Sequence, residues 1–242
     1  MTVTGGACSD IGTYRDENQD RLMYGIKSSE GESFAIAAVC DGVGGAEKGG
    51  VAAQIVISGA EEWYRGISSW LDPAAADGAV VLSHLKDAAE DWNLDVRTYR
   101  EENGVVTATT MSVLMILRDE FYALHVGDSR VYRYDGRLRA ITDDEVISSE
   151  AGDGQTKQLL DNYMGKADEL SFRQYTGSVK RRDLVLLCSD GFYHCLSEED
   201  AGNIYRESMT SGNLADIASK WVGVMEARGE RDNVSLGLIY VR

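Results

Sequence analysis

The pattern of apolar and polar positions changes period several times along the chain. Residues 2–9, 20–26 and 33–40 read as strands, the last being the apolar run Ser33-Phe-Ala-Ile-Ala-Ala-Val-Cys40, which ends at a glycine cluster. From about 50 to 71, and again from about 77 to 102, apolar residues return at helical spacing, as in Val51, Ile55, Ala60, Trp63, Tyr64 and Ile67. Trp63, Trp70 and Trp92 are expected on the inner faces of these helices. Residues 107–140 are rich in Val, Leu, Ile and Tyr and are broken at Arg118-Asp119-Glu120, Gly127-Asp128 and Asp135-Gly136, which predicts an antiparallel meander. Residues 144–166 are polar with a weak helical patch. Residues 183–188 and 233–241 read as late central strands, with a helix from about 212 to 228 before the last of them.

Early strands, two helices, a meander and further strands do not make the alternating pattern of a parallel sheet. The expected class is α+β, a four-layer αββα sandwich of two antiparallel sheets flanked by helices. Pro73 is the one proline, and no repeat, low-complexity block or linker divides the chain. With 242 residues, 43% of them hydrophobic, a single domain over 1–242 is expected.

Composition narrows the partners. Asp and Glu number 40 against 24 Lys and Arg, and the net charge of -16 would repel a nucleic-acid backbone. Cys8, Cys40, Cys188 and Cys195 lie in or beside apolar runs without the paired spacing of a zinc site or a disulfide scaffold. Reduced thiols and a cytoplasmic location are expected. Residues 1–10 lack a basic start, and no window approaches the roughly 18 apolar residues of a membrane span. His84, His125 and His194 read as packed or surface residues.

Three apolar strands meet an aspartate: Val39-Cys40-Asp41-Gly42, Leu187-Cys188-Ser189-Asp190-Gly191, and Arg231-Asp232-Asn233 at the start of the last strand. Each alone is also what a plain turn looks like. Held together at buried strand ends, the three would repel one another unless a cation neutralised them. Mg²⁺ and Mn²⁺ take oxygen ligands, which suits Asp and backbone carbonyls in a chain poor in histidine. Asp41-Gly-Val-Gly-Gly45 fails as a nucleotide loop, because the third glycine of a dinucleotide fingerprint, and the second of a Walker loop starting at Gly42, would both fall at Glu47. Cysteine-dependent phosphatase chemistry fails too. It needs an Arg six residues after the thiolate, where the four cysteines are followed by Tyr14, Ala46, His194 and Ala201.

Six segments in order, Arg15-Asp-Glu-Asn-Gln-Asp20, Val39-Cys-Asp-Gly-Val-Gly-Gly45, Thr107-Ala-Thr-Thr110, His125-Val-Gly-Asp-Ser-Arg130, Leu187-Cys-Ser-Asp-Gly-Phe192 and Arg231-Asp-Asn-Val234, resemble the metal-dependent protein phosphatase family, type 2C, in its bacterial form. The resemblance implies hydrolysis of phosphoserine and phosphothreonine in other proteins by a metal-activated water, without a phosphoenzyme. The cofactors implied are two Mn²⁺ or Mg²⁺ ions, with a third held more weakly. Asp41 is similar to the carboxylate that bridges both metals, the Gly42 carbonyl to a ligand of one, and Asp190 and Asp232 to ligands of the other. Asp20 corresponds to an outer-shell residue, Asp128 to the position of the third metal, and Arg15 to the arginine that grips substrate phosphate. The implied partners are phosphorylated targets of a Ser/Thr kinase.

Val43 stands where many relatives carry His, so no protein general acid is assigned. Gln19 replaces an acidic residue, and Asp144-Glu145 replaces Asp-His. Two other functions share these features: a catalytically silent relative that binds phosphoproteins, and a hydrolase of small phosphate esters. Residues 144–167 resemble the family's variable flap beside the active site. The sequence is silent on oligomeric state.

Overall fold

The structure, a computed structural model, describes residues 1–43, 46, 48–150, 156–167 and 170–242. Gly44 and Gly45 of the glycine loop, and residues 151–155 of the polar stretch, lie outside the described residues. The elements follow in the order β1 (Val3–Asp10), β2 (Arg21–Ser29), β3 (Glu32–Cys40), α1 (Gly49–Trp70), α2 (Gly78–Asn103), β4 (Met111–Leu117), β5 (Glu120–Val126), β6 (Arg130–Tyr134), β7 (Leu138–Ala140), β8 (Val146–Glu150), β9 (Thr156–Leu160), β10 (Arg173–Ser178), β11 (Leu184–Cys188), α3 (Asp190–Tyr193), α4 (Glu198–Thr210), α5 (Leu214–Ala227) and β12 (Val234–Val241).

The strands form two five-stranded antiparallel sheets, ordered β1-β12-β11-β6-β7 and β10-β5-β4-β3-β2, and a separate β8-β9 hairpin. Continuous apolar runs make sense here, because the central strands are buried on both faces. In β3, Phe34, Ile36, Ala38 and Cys40 pack under α1 and α2, while Ala35, Ala37 and Val39 face the other sheet. In β11, Leu184, Leu186 and Cys188 meet α3 to α5, and Val185 and Leu187 enter the space between sheets. Helices outside two facing sheets give the expected four layers.

The limits expected for α2 hold because its ends are capped. Asp77 accepts from the amides of Ala79 and Val80, and Gly104 closes α2 in the left-handed region at φ 63°. Other readings need correction. Residues 146–150 and 156–160 form the β8-β9 hairpin, not a helical patch; Ile147 pairs across it with Leu159, and both are exposed. Strand β10 and helices α3 and α4 were not anticipated. Trp70, the last residue of α1, is 69% exposed, whereas Trp63 and Trp92 are buried as expected. No helix among the described residues is long and apolar enough to cross a membrane.

Helix α4 begins with a capping box in which Asp, rather than the commoner Glu or Gln, occupies the third helical position. Ser197 Oγ accepts from the Asp200 amide, and Asp200 Oδ2 accepts from the Ser197 amide. Arg228 grips both Asp200 oxygens, at 2.6 and 2.8 Å, which holds this carboxyl below its usual range. A depressed folded-state pKa adds stability above the unfolded carboxylate range, and the gain is lost as pH falls through the folded value. Asp200→Ala should therefore lower stability by about 1–2 kcal/mol at neutral pH. Denaturant titration from pH 7 down to about 2 should show the deficit shrinking with acid; a deficit independent of pH would deny the ion pair a role.

Candidate metal centre

Four aspartates from distant parts of the chain line one cleft of about 120 Å³ at one end of the sheets: Asp41, Asp128, Asp190 and Asp232. Asp41 follows β3, Asp128 lies in the β5-β6 turn, Asp190 opens α3 just past β11, and Asp232 precedes β12. Gln19, Gly42, Val43, Thr110 and Leu160 complete the wall.

Asp41 is pinned through its backbone. Its amide donates to Thr110 Oγ1 at 2.9 Å, and its carbonyl accepts from the Thr110 amide and from Thr109 Oγ1. Gly42 must be glycine, because a Cβ there would stand 2.5 Å from the Gly49 carbonyl carbon at the start of α1. Burial pushes the Asp41 carboxyl well above its ordinary value, and Asp20, Asp190, Asp128 and Asp232 push it further. Burial likewise raises Asp190, as does Asp232, while the charge of His194 opposes the rise. Asp190 Oδ1 is buried without a hydrogen-bond partner.

Asp20 sits between the sheets, with Ser189 Oγ and Ser235 Oγ each 2.7 Å from its Oδ2. Burial lifts this carboxyl to about 6 against the pull of both hydroxyls. The Asn233 side chain accepts from the Gln19 amide and donates to the carbonyls of Ile11 and Glu17, so the loop bearing Arg15 is tied to the start of β12. Arg15 reaches the rim of the cleft, where its Nη2 meets Asp232 Oδ2 at 2.6 Å.

Asp128 is lifted to about 6, first by burial and then by Asp190 and Asp144. Its turn is held from several sides. Gly127 adopts φ 105°, its amide donates to Glu145 Oε2 at 3.1 Å, and its carbonyl accepts from the Glu145 amide at 2.8 Å. His125 Nε2 lies 2.9 Å from the same carbonyl, so this buried histidine is structural. Glu145 also accepts from Asn162 and Arg173, linking the Asp128 turn to the end of the hairpin and to β10. Arg130 forms two bonds to Asp144 and stacks 3.7 Å over Tyr193.

The supporting residues Thr109, Thr110, Ser189 and Asn233 all lie inside the segments quoted for the resemblance, but a motif does not say what each hydroxyl or amide touches. Ser235 and the positioning role of Glu145 had no such signal.

Among the described residues, no three carboxylate, imidazole or thiol groups converge on one point. A divalent cation suits this donor set: hard oxygens, raised carboxyl pKa values, and a buried carboxylate oxygen at Asp190 lacking any donor.

Comparison with known proteins shows the family and the fold. The chain is 22% identical to the Listeria monocytogenes serine/threonine phosphatase stp over 96% of its own length and 93% of that protein's. Its fold matches PppA, a regulatory component of the type VI secretion system in Pseudomonas aeruginosa, at TM-score 0.78 and 21% identity, with 100% and 99% of the two chains covered. It also matches the catalytic domain of the phosphatase PstP, solved with two manganese ions, at TM-score 0.72 and 24% identity over 99% of both chains. With the family model described as Protein phosphatase 2C matching residues 15–228, nearly the whole span of the quoted segments, the chain belongs to the protein phosphatase 2C family.

Proposed function

We propose that this chain, as one catalytic domain over 1–242, hydrolyses phosphoserine and phosphothreonine in proteins phosphorylated by a Ser/Thr kinase. Asp41, the Gly42 carbonyl, Asp190 and Asp232 would hold two Mn²⁺ or Mg²⁺ ions, with Asp128 at a third, weaker site. When bound, such ions make water nucleophilic near neutral pH and offset charge on phosphoryl oxygens. The chain's own residues set the stage. Thr109 and Thr110 fix the Asp41 backbone, the Ser189 and Ser235 hydroxyls orient Asp20 as an outer-shell acceptor, and Arg15 presents a planar fork to the phosphate.

The observation that carries this reading is that four aspartates from four separated segments line one small cleft. A silent phosphoprotein-binding relative would gain nothing from keeping such mutually repelling carboxylates. Phosphate release from phosphothreonine and phosphotyrosine peptides, with and without Mn²⁺, tests the proposal. Metal-dependent release from phosphothreonine is expected, and no release from any phosphopeptide would refute it.

Arg15 separates phosphate recognition from metal binding. Charge-assisted bonds from its guanidinium should make Arg15→Ala raise KM for a phosphopeptide by about ten- to a hundredfold. Arg15→Lys should recover only part of that, and inorganic phosphate should inhibit both variants less. Metal affinity should not fall, since Asp232 loses a competing cation. Unchanged KM and unchanged phosphate inhibition would leave Arg15 as a plain ion pair with Asp232.

Asp128→Ala should leave the two tighter metals bound, slow turnover, and raise the Mn²⁺ needed for half-maximal rate by about tenfold. Calorimetric titration against the parent decides this. An identical isotherm and identical kinetics would return Asp128 to a simple turn residue.

A further inference from the structure

Three surfaces continue outward from the aspartate cleft, and they differ in chemistry. The one toward Arg15, lined by Tyr14, Asp16, Glu17 and Asn233, is mainly polar, and the one toward α3 is mixed, with Arg130, Asp144 and His194 beside Val146 and Tyr193. The third, a groove of about 500 Å³, runs between the segment after α2 and strand β9 and is mainly apolar. Val106 and Ala108 form one side of it, and Leu159 and Leu160 the other.

Val106 is 61% and Leu159 47% exposed, an arrangement that costs free energy unless something apolar covers them. Val43, Asp128 and Leu160 line both this groove and the aspartate cleft, so the two are one continuous depression. Its backbone is held in place beforehand. Thr109 and Met164 exchange amide-carbonyl bonds, and Gly165 is gripped through its amide by Asn93 and through its carbonyl by Arg100. Arg100 lines the groove but not the cleft, so a positive charge stands away from the end that Asp128 makes negative.

Resting on the phosphatase reading above, we infer that this groove is a specificity subsite that seats an apolar side chain of the substrate polypeptide next to the phosphorylated residue. A chain whose phosphate lies among the aspartates leaves the cleft within one or two residues, at about 3.3–3.6 Å per residue, and this is the apolar exit open to it. The preferred substrates are therefore phosphoproteins with Leu, Ile or Met beside the phosphoresidue, and an acidic residue beyond it would meet Arg100. Removing a side chain of that size from water favours such a sequence by about tenfold to a hundredfold over one with Gly there.

The test compares p-nitrophenyl phosphate with phosphothreonine peptides carrying Leu or Gly at each flanking position, for the parent and for the double variant Val106→Ser/Leu159→Ser. The parent should prefer Leu on one flank by about tenfold or more in kcat/KM. The variant should treat Leu and Gly alike while hydrolysing p-nitrophenyl phosphate at the parental rate. A parent indifferent to flanking residues, or a variant that keeps the preference, overturns the subsite. A parent that dimerises while the variant is monomeric in sedimentation would show the groove occupied by a second copy of this chain, and overturns it as well. No turnover of any substrate by the parent would instead overturn the phosphatase reading and the subsite with it, which the small ester reveals independently of the peptides.

Discussion

Asp41→Asn, Asp190→Asn and Asp232→Asn should each reduce turnover by about a hundredfold to several thousandfold, because an amide is a poor ligand for a hard cation and the ion's contribution to catalysis is worth several kcal/mol. Asp41 should be the most sensitive, since the family resemblance assigns it to both ions and the others to one. The same substitutions should not unfold the protein. Replacing Asp41 or Asp190 removes a charge that burial and neighbours already disfavour, so thermal stability measured in chelator should rise. Near-parental turnover at limiting metal for any one of the three would remove that residue from the ligand set. A drop in turnover accompanied by a fall in stability would point to disruption of the sheets' ends instead.

Exhaustive removal of divalent metal should abolish phosphatase activity, and Mn²⁺ or Mg²⁺ should restore it; full activity without metal would end the two-metal reading. Thiol alkylation should have little effect. Cys40 and Cys188 are buried, with pKa values that burial pushes up, and no cysteine lines the aspartate cleft. Metal removal should also make stability respond to pH in a particular direction. Asp20 and Asp128 have folded-state values near 6, above their ordinary range, so the folded protein binds protons more readily than the unfolded chain. In chelator, stability should therefore increase as pH is lowered from about 8 to about 5, and saturating Mn²⁺ should flatten that slope. Thermal melts across this range, with and without metal, measure it.

Much of the molecule was legible in the sequence because the relevant signals are local. Residues 33–40 and 183–188 are continuous apolar runs, as strands buried on two faces must be, and β3 and β11 are such strands. Asp77 and Gly104 bracket α2 with the residue types that helix ends require. Aspartates at the ends of apolar strands pointed to a shared carboxylate site before any strand was paired, and Asp41, Asp190 and Asp232 do line one cleft. The signals failed where packing decides. Strands β8 and β9 are only five residues long, with Ile147 and Leu159 facing out, so no alternating pattern marks them. Trp70 ends α1 on its outward side, between the buried Ile67 and Leu71, so its apolar side chain is left in solvent.

By itself, then, the sequence determined the layered α+β architecture, the aspartates at the strand ends and the order of the motifs, since periodicity and residue type act over a few neighbours. Tertiary structure alone decided the contacts between residues far apart in the chain. Strand β1 pairs with β12, so Val3 meets Val241 and Asn233 can tether the loop that carries Arg15. Asp20 is held by serines that follow β11 and lie on β12, and Glu145 joins the Asp128 turn to Asn162 and Arg173. Each of these is a buried polar group whose partner is supplied by the packing of sheets, and no local pattern specifies which donor a desolvated carboxylate will find.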